Sequence, residues 1–255
     1  MINFGNYNIL KTMITACDYA FLTHEVMQAV KSTQKLVIAP TTSHGLVMAY
    51  YNSDYKKILD SFTYNVPDSQ YVRLSLYILY NVSLKDRVRG ATLFRHICDT
   101  ALKENMSLHL IGNNLQRLIR VLEHDYPNLI LFYSDLQGKK LSGRTAEICT
   151  LDIKKNKPDI VLIGIGTPQQ HILTKRLKIR KPIVCLGAAF DFLSGEKKES
   201  PEWMGSIGLE WLFRLMLEPR RLWKRYLVYG PLYVFLIFKQ LISLAVNREV
   251  RGEII

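Results

Sequence analysis

Short runs of consecutive apolar residues, separated by amphipathic segments, limit most strongly the folds that this chain of 255 residues can adopt. A strand that is apolar at consecutive positions is typical of a parallel sheet with both faces covered, because neither face then contacts water. We assign five such runs to strands, at residues 35–39, 107–112, 129–133, 159–164 and 183–187.

The segments between these runs predict helices. Residues 45–55 are predicted to be helical, and so is the segment from 115 to about 125, which Pro127 ends. In the second of these helices four apolar side chains share one face, Leu115, Leu118, Ile119 and Leu122. Alternating strands and helices predict an α/β fold with a mostly parallel, Rossmann-like sheet and helices on both faces.

Ligands of such folds bind beyond the carboxyl ends of the strands. That rule selects four loops, at residues 40–44, 112–114, 164–170 and 187–195. In the third loop Gly164 and Gly166 let a ligand approach the backbone, and free amides at the following helix start can hold phosphate. The loop is neither a Walker P-loop nor a full GxGxxG fingerprint, because position 169 is Gln. A tight strand-to-helix turn is the alternative interpretation.

Three charged residues in or near these loops each have two interpretations. Asp191 lies between two phenylalanines, where it either caps or holds its loop or faces a ligand. Asp68 follows Pro67, a position typical of a turn, and its alternative role is a general base that deprotonates an acceptor hydroxyl. Arg87 is either a solvated cation or a diphosphate clamp, since its planar fork donates two parallel hydrogen bonds.

The sequence gives no signal for a metal or another cofactor. Its six histidines form no HxxxH or HExxH pattern, and no DxD motif occurs. The four cysteines are widely spaced among apolar neighbours, which is typical of buried free thiols in a reducing cytoplasm, and they are Cys17, Cys98, Cys149 and Cys185. We therefore expect neither a bound metal nor a disulfide framework.

The carboxyl-terminal quarter has a different composition. Residues 211–248 hold seven cations and one acid, a net charge of +6, which is half of the formal +12 of the chain. Such a concentration predicts a local surface for an anionic partner. Because the strand pattern stops near residue 196, we predict an α/β body at 1–195 and a helical, basic and aromatic appendage at 196–255, broken at Pro219 and at Gly230-Pro231.

The appendage also contains the most lipid-like run of the chain. Its apolar core, residues 231–238, is eight residues long before Lys239 interrupts it. A membrane-spanning helix needs about 20 apolar residues. We therefore predict no transmembrane segment here, and instead either an interfacial helix or a helix packed on the body.

Four segments of the second half together resemble the WecG/TagA/CpsF glycosyltransferase family: residues 187–195, 201–204, 208–214 and 218–226. The resemblance extends in consistent order over roughly residues 36–240. It implies an enzyme that moves an N-acetylmannosamine-like, glucose-type or glucuronic-type sugar from UDP to a polyprenyl-diphosphate-linked acceptor, for bacterial surface polysaccharides. It also implies a peripheral protein at the cytoplasmic face of the plasma membrane, in contact with anionic lipid.

Several residues match the motifs of that family by position. Asp68 matches the Pro-Asp motif, which implies the catalytic base, and Arg87 matches an Arg-Val-x-Gly motif, which implies a role near the donor diphosphate. The other matches imply substrate binding, by Thr41 and Thr42 in a polar loop, by Gln170 in the loop after Gly166, and by Arg214, Arg221 and Arg225 in the appendage.

Together with the resemblance to that family, these residues predict that the sugar is transferred without a metal ion and with inversion at the anomeric carbon. Departing UDP would be stabilised by arginines and by loop amides at Gly112 and at Gly164–Gly166, where fixed donors replace a metal. Two residues depart from the family pattern: Ser69 stands where Gly is usual, and His171 stands where Glu is usual. The early loop also lacks the usual Asn. The lost carboxylate at His171 bears on the choice of donor sugar.

Two other functions are consistent with parts of the sequence. The cations and aromatic residues suggest a nucleic-acid-binding protein, although RRM, KH and helix-turn-helix signals are missing. Ser69 and His171 suggest a membrane-surface scaffold that has kept the fold and lost the chemistry. Aromatic residues of the appendage support either self-association or membrane docking.

Overall fold

The chain begins with a hairpin that the sequence patterns did not predict. This computed structural model describes residues 1–138 and 141–250. Strands β1 (Asn3–Ile9) and β2 (Thr12–Cys17) pair antiparallel, and Leu10 and Lys11 between them have φ of 49° and 66°. Positive φ at both turn positions gives the twist that a two-residue hairpin needs.

Six parallel strands form the central sheet, as predicted. They are β3 (Leu36–Thr41), β4 (Tyr64–Pro67), β5 (Ser107–Gly112), β6 (Ile130–Asp135), β7 (Ile160–Gly164) and β8 (Pro182–Cys185). Their order across the sheet is β4-β3-β8-β7-β5-β6, and every neighbouring pair is parallel. Only β4, at one edge, lies outside the predicted strands.

Helices cover both faces of this sheet. In the body they are α1 (Tyr19–Lys31), α2 (Ser43–Tyr51), α3 (Ser53–Asp60), α4 (Gln70–Tyr80), α5 (Gly90–Lys103), α6 (Gln116–Asp125), α7 (Gly143–Asn156), α8 (Gln169–Arg176) and α9 (Ala189–Leu193). The single helix predicted over 45–55 is two helices. Asn52 interrupts it with extended backbone, and its side chain accepts a hydrogen bond from the Tyr55 amide, 2.9 Å away, to cap α3.

Alternate residues of the central strands enter two separate cores. In β7, Ile160 and Leu162 pack with α1, α5, α6 and α9 on one face, while Val161 and Ile163 pack with α3, α7 and α8 on the other. This arrangement explains why the strands are apolar at consecutive positions. The four cysteines are buried free thiols, as expected.

Beyond residue 201 the carboxyl-terminal segment is built from helices, with short non-helical connections at 207–209 and 218. It consists of α10 (Glu202–Ser206), α11 (Glu210–Leu217), α12 (Pro219–Trp223), a π-helical segment (Lys224–Val228) and α13 (Tyr229–Val250). A break occurs at Glu218, just before Pro219, as predicted. The second predicted break, at Gly230-Pro231, is wrong because the chain stays helical there.

The π-helical segment allows Pro231 to lie inside a helix. In a regular helix the proline ring clashes with the carbonyl four residues earlier, which belongs to Leu227. Here the preceding turn is widened, and the Tyr229 amide donates to the Lys224 carbonyl, five residues back. The helix therefore continues past Pro231.

Helix α13 packs on the body along one face. Tyr233, Leu236 and Ile237 join a third core with residues of the hairpin, α2 and α4. The Ser75 and Tyr233 hydroxyls are 2.8 Å apart, and Gln240 accepts from the Leu10 amide and donates to the Asn8 carbonyl. Of the two arrangements left open by the sequence, packing on the body is therefore observed.

The opposite face of this helix is exposed and apolar. Among the described residues, one helix, Pro219–Val246, is long and apolar enough to cross a membrane by length and composition, with a mean hydropathy of 1.6. Lys239 and Gln240 interrupt the apolar run but do not end the helix, and the sequence-based expectation of no transmembrane segment here stays a prediction. Exposed apolar side chains on it include Val234, Phe235, Phe238, Ile242 and Val246.

Candidate active site

A cavity of about 470 Å³ opens where β3, β4, β7 and β8 end and where the carboxyl-terminal helices cover the body. A volume of this order is typical of ligand sites. The body and the appendage contribute opposite walls. Lining residues of the body include Thr42, Asp68, Arg87, Gly166, Gln170 and Gly187, and those of the appendage include Glu210, Trp211, Arg214, Arg221, Arg225 and Tyr226.

Asp68 lies at the junction between β4 and α4. Its backbone amide donates to the Thr41 carbonyl at 3.1 Å, which ties the junction to the end of β3. The residue that caps α4 is Ser69, whose hydroxyl accepts from the Val72 amide. The serine that departs from the family pattern therefore has a structural role, and the Asp68 carboxyl is not needed as the cap.

Burial raises the pKa of the Asp68 carboxyl above its usual range. Arg87, Arg214 and Arg225 act in the opposite direction, and the Glu210 carboxylate adds to the increase. A carboxylate whose pKa is raised accepts a proton more readily than an ordinary surface aspartate. The environment of Asp68 is therefore compatible with the general-base role predicted for it.

Arg87 is not a solvated cation, because its side chain is only 9% exposed. Its Nη2 forms an ion pair with Glu210 Oε2, at the first position of α11. The other Glu210 oxygen lies 3.8 Å from Arg214 Nη1. Glu210 therefore holds one cation of the body and one of the appendage.

Gln170 joins two of the strand-end loops. Its Oε1 accepts from the Gly187 amide at 2.8 Å, which fixes the orientation of the side-chain amide. The amide nitrogen then points toward His171 Nε2, 3.4 Å away, and His171 Nδ1 lies 2.7 Å from the Tyr55 hydroxyl. If Gln170 donates to Nε2, the proton of the ring is on Nδ1 and points toward Tyr55.

His171 lies behind the cavity wall. It is fully buried, it stacks on Tyr55, and burial lowers its pKa to about 4, so the ring is neutral near pH 7. His171 therefore does not line the cavity itself, and its contact with the lining is through Gln170. The Thr167–Pro168 peptide bond in the same loop is cis.

Eight of the twelve predicted site residues line the cavity, and four do not. Those that line it are Thr42, Asp68, Arg87, Gly166, Gln170, Arg214, Arg221 and Arg225. The others are engaged elsewhere: the Thr41 hydroxyl donates to the Ala39 carbonyl, Asp191 pairs with Lys197 at 2.5 Å, and Gly112 and Gly164 lie against the Phe190 ring. These contacts give each of the four a structural role at its own position.

Sequence reasoning missed Glu210, Trp211, Arg89 and Tyr226 as residues of the cavity wall. Glu210 could have been selected from the sequence, because it is an acidic residue immediately before a strongly basic segment. No signal marked Arg89, which pairs with Glu199 at 3.0 Å. Within residues 1–138 and 141–250, no group of three or more His, Cys, Asp or Glu side chains could hold a metal ion.

Comparisons with known proteins agree with the resemblance seen in the sequence. The sequence model of the glycosyl transferase WecG/TagA/CpsF family matches residues 7–247. The N-acetylglucosaminyldiphosphoundecaprenol N-acetyl-beta-D-mannosaminyltransferase of Bacillus subtilis (strain 168) is 30% identical over 206 residues, with 75% of each chain covered. The protein of the same name from Bacillus spizizenii is 29% identical over 202 residues, covering 75% of this chain and 74% of that protein.

Proposed function

This chain is a glycosyltransferase of the WecG/TagA/CpsF family, and we propose that it transfers a sugar from a UDP-sugar to a saccharide linked to polyprenyl diphosphate. The names of the two Bacillus relatives specify an acceptor of this kind and an N-acetylmannosamine unit. The observation that carries the proposal is the position of Asp68, a carboxyl of raised pKa, in one cavity with Arg87, Arg214, Arg221 and Arg225.

The proposed reaction is a direct displacement at the anomeric carbon. Asp68 takes the proton of the acceptor hydroxyl as that oxygen attacks, and the bond between the anomeric carbon and UDP breaks with inversion. UDP departs with the electron pair and carries additional negative charge. Fixed cations in a partly enclosed site stabilise such charge more strongly than water does.

The arginines take the role that a metal has in many nucleotide-sugar enzymes. Arg87 and Arg214 are held in place by Glu210, and Arg225 and Arg221 reach the cavity from the appendage. Guanidinium groups bind diphosphate oxygens in pairs of parallel hydrogen bonds. We propose that the reaction needs no divalent ion, and that UDP and the acceptor diphosphate share this set of cations.

The appendage is proposed to lie at the surface of an anionic membrane, on the cytoplasmic side where UDP-sugars are made available. The apolar face of α13 is exposed, and so are the cations Arg220, Lys224 and Lys239. This combination favours interfacial binding. The opposite face of α13 remains packed on the body as far as Gln240, which favours a peripheral arrangement over a helix that crosses the bilayer.

The other functions considered for the sequence are less consistent with this geometry. The cations line a cavity between the body and the appendage, together with the Asp68 carboxyl, and they do not form an open basic surface along a sheet. This arrangement favours a small anionic ligand over a nucleic acid. A catalytically silent scaffold would need neither the raised pKa of Asp68 nor its exposure to the cavity. Release of UDP in the presence of a prenyl-diphosphate acceptor would exclude that scaffold.

The test of the proposal is the Asp68→Asn variant, assayed with UDP-sugars and a short-chain prenyl-diphosphate acceptor by mass spectrometry. We expect transfer to fall by about 100- to 10,000-fold, which is typical for loss of a general base. Asp125→Asn, an exposed aspartate on α6, is the control and should keep full activity. Activity within about tenfold of wild type in a folded Asp68→Asn protein would show that another group is the base.

A second measurement tests the absence of a metal. Excess EDTA should leave the rate of transfer unchanged, because arginines supply the positive charge. A large loss of rate that Mg²⁺ or Mn²⁺ restores would contradict the metal-independent mechanism.

A further inference from the structure

Helices α4 and α13 lie side by side and run in the same direction away from the cavity. Tyr71 and Val234, near the starts of the two helices, both line the cavity. Further along, the Ser75 and Tyr233 hydroxyls are hydrogen-bonded at 2.8 Å, and Gln240 Nε2 donates to the Tyr80 hydroxyl at 3.4 Å. From Tyr71 to Tyr80 the shared path is about 14 Å long, at 1.5 Å per residue.

Exposed apolar side chains flank this path. On α4, Tyr71, Leu74 and Ile78 occupy positions i, i+3 and i+7, which share one face, and they are 38%, 41% and 51% exposed. On α13, Val234 follows Tyr233 directly and Phe238 lies one turn later, and these two are 58% and 60% exposed. Ser75 and Tyr233, which join the two helices, are buried.

The lining of the cavity contains two chemically different groups of residues. Asp68, Arg87 and Arg225 are charged, whereas Leu227, Pro231 and Val234, on α13 and the turn before it, are apolar. Tyr71 and Val234, the first residues of the apolar rows on α4 and α13, also line the cavity. A ligand that suits the whole surface has an anionic head and a long apolar tail.

We propose that the prenyl chain of the acceptor leaves the cavity between α4 and α13. It lies against Tyr71, Leu74 and Ile78 on one side and against Val234 and Phe238 on the other. The proposal rests on the proposed function, since it takes the acceptor to be a prenyl diphosphate. The occupant is an isoprenoid chain because the apolar rows continue from the cavity that holds the diphosphate, and because the acceptor named for the Bacillus relatives carries undecaprenol.

The experiment compares acceptors with the same head group and prenyl chains of different length. Leu74→Ser combined with Ile78→Ser removes apolar surface at exposed positions and should leave folding intact. We expect kcat/KM for a long-chain acceptor to fall about tenfold, which corresponds to a loss of about 1.4 kcal/mol of binding in the transition state. For an acceptor with one or two isoprene units, kcat/KM should stay within about twofold.

A matched control is available on the opposite side of the molecule. Ile148 and Leu151 on α7 are also exposed, at 51% and 65%, and are separated by three positions along the helix. Ile148→Ser combined with Leu151→Ser should leave the preference for long chains unchanged. An equal loss of preference in this control would overturn the proposal, because the effect would then come from general surface hydrophobicity.

Other outcomes of the same experiment identify other occupants. If the α4 variant keeps its chain-length preference but loses binding to anionic vesicles, the surface contacts the bilayer only. If it changes instead from an oligomer to a monomer, the surface is an interface between two copies of the chain. Either result overturns the proposed prenyl path.

A photoreactive prenyl diphosphate separates this inference from the proposed function, because labelling does not need turnover. The peptide 70–80 and the peptide around residues 231–238 should carry the label. Labelling of these peptides in a protein that transfers no sugar would retain the prenyl path and reject the proposed reaction. Labelling elsewhere would overturn the path even if sugar transfer were observed.

Discussion

Gly164 provides a direct test of how the sheet and the strand-end loops are built. It is the register partner of Gly112 in the neighbouring strand, and Phe190 of α9 lies on both glycines. A Cβ atom at Gly164 would be 2.3 Å from two atoms of the Phe190 ring and 2.8 Å from a third. Because Phe190 is buried and packs edge-on against Phe94, the ring has little room to move.

We therefore expect Gly164→Ala to destabilise the fold. Replacing Gly by Ala in a strand normally gains about 0.5–1 kcal/mol from reduced backbone entropy. Overpacking of a buried site costs about 1–3 kcal/mol, and contacts as short as 2.3 Å place this site toward the upper end. The net loss should be about 2 kcal/mol, which lowers the melting temperature by about 4–8 °C in a chain of this size.

The assay is urea unfolding of Gly164→Ala, Phe190→Leu and the double variant. Because the clash involves the aromatic ring, Gly164→Ala should cost at least about 1 kcal/mol less in the Phe190→Leu background. Gly166→Ala is a useful comparison, since Gly166 has φ of 82° and open space around its Cβ position. That variant should lose stability through backbone strain alone, with no dependence on Phe190.

Two results would refute the steric reasoning. One is equal destabilisation by Gly164→Ala with and without the ring of Phe190. The other is an unchanged stability together with a raised KM for the UDP-sugar, which would return Gly164 to the substrate-binding role predicted from the sequence.

Two further predictions concern pH. Glu210→Gln removes a carboxylate that raises the pKa of Asp68, so the acidic limb of the pH profile of kcat/KM should move to lower pH, and an unshifted limb would contradict this coupling. Glu199→Gln, which breaks only the Arg89 ion pair, is the control and should leave the limb where it is. His171 binds a proton with a pKa of 6.5 when unfolded but only about 4 when folded, so its contribution to stability is complete above pH 6.5 and is lost as the pH falls toward 4. Measured by urea unfolding at several pH values, His171→Asn should lose roughly 3 kcal/mol less free energy of unfolding than wild type between pH 6.5 and pH 4. Part of the pH dependence should remain in this variant, because His44 and His109 also have pKa values lowered to about 4.

The central sheet was predictable because strands buried on both faces are apolar at consecutive positions, a pattern that is visible in the sequence. Strand β5 was predicted with its observed limits, 107–112. Strand β4 was not predicted, since it is a four-residue edge strand that contains Asn65 and ends at Pro67. The first hairpin was missed for another reason: its turn uses Leu10 and Lys11 at positive φ, where Asn or Gly would have given a signal.

The candidate site was predictable only where strand ends or family motifs marked it. Convergence of Asp68 and Gln170 follows from the parallel sheet, whose strand ends meet at one edge, whereas Arg87 is brought there by its loop, in which the Val88 amide donates to the Pro67 carbonyl at the end of β4. The role of Glu210 depends on a contact between residues 123 positions apart in the chain, which no local pattern records. The same holds for Gly112 and Gly164, whose small size suits the Phe190 ring of a distant helix.

The π-helical segment makes the length of the appendage as important as its composition. Arg221, Arg225, Tyr229 and Tyr233 are spaced four apart, and in a regular helix each step of four advances about 40° around the axis. In the widened turn at Lys224–Val228 each residue rotates the chain by less than in a regular helix, which reduces this advance. The two arginines and Tyr233 therefore all reach the cavity, while Tyr229 packs against His44.

Deleting one residue from this segment would restore a regular helix, and the loss of one residue (about 100° of rotation) would nearly cancel the loss of the underwinding, so the residues after it would keep their orientation relative to the arginines. The same deletion in the regular helix at residues 230–232 has no underwinding to cancel, and it would rotate Tyr233 and Gln240 by about 100°, away from the body. The widened turn is consequently the place where the appendage best tolerates a change of chain length by a single residue.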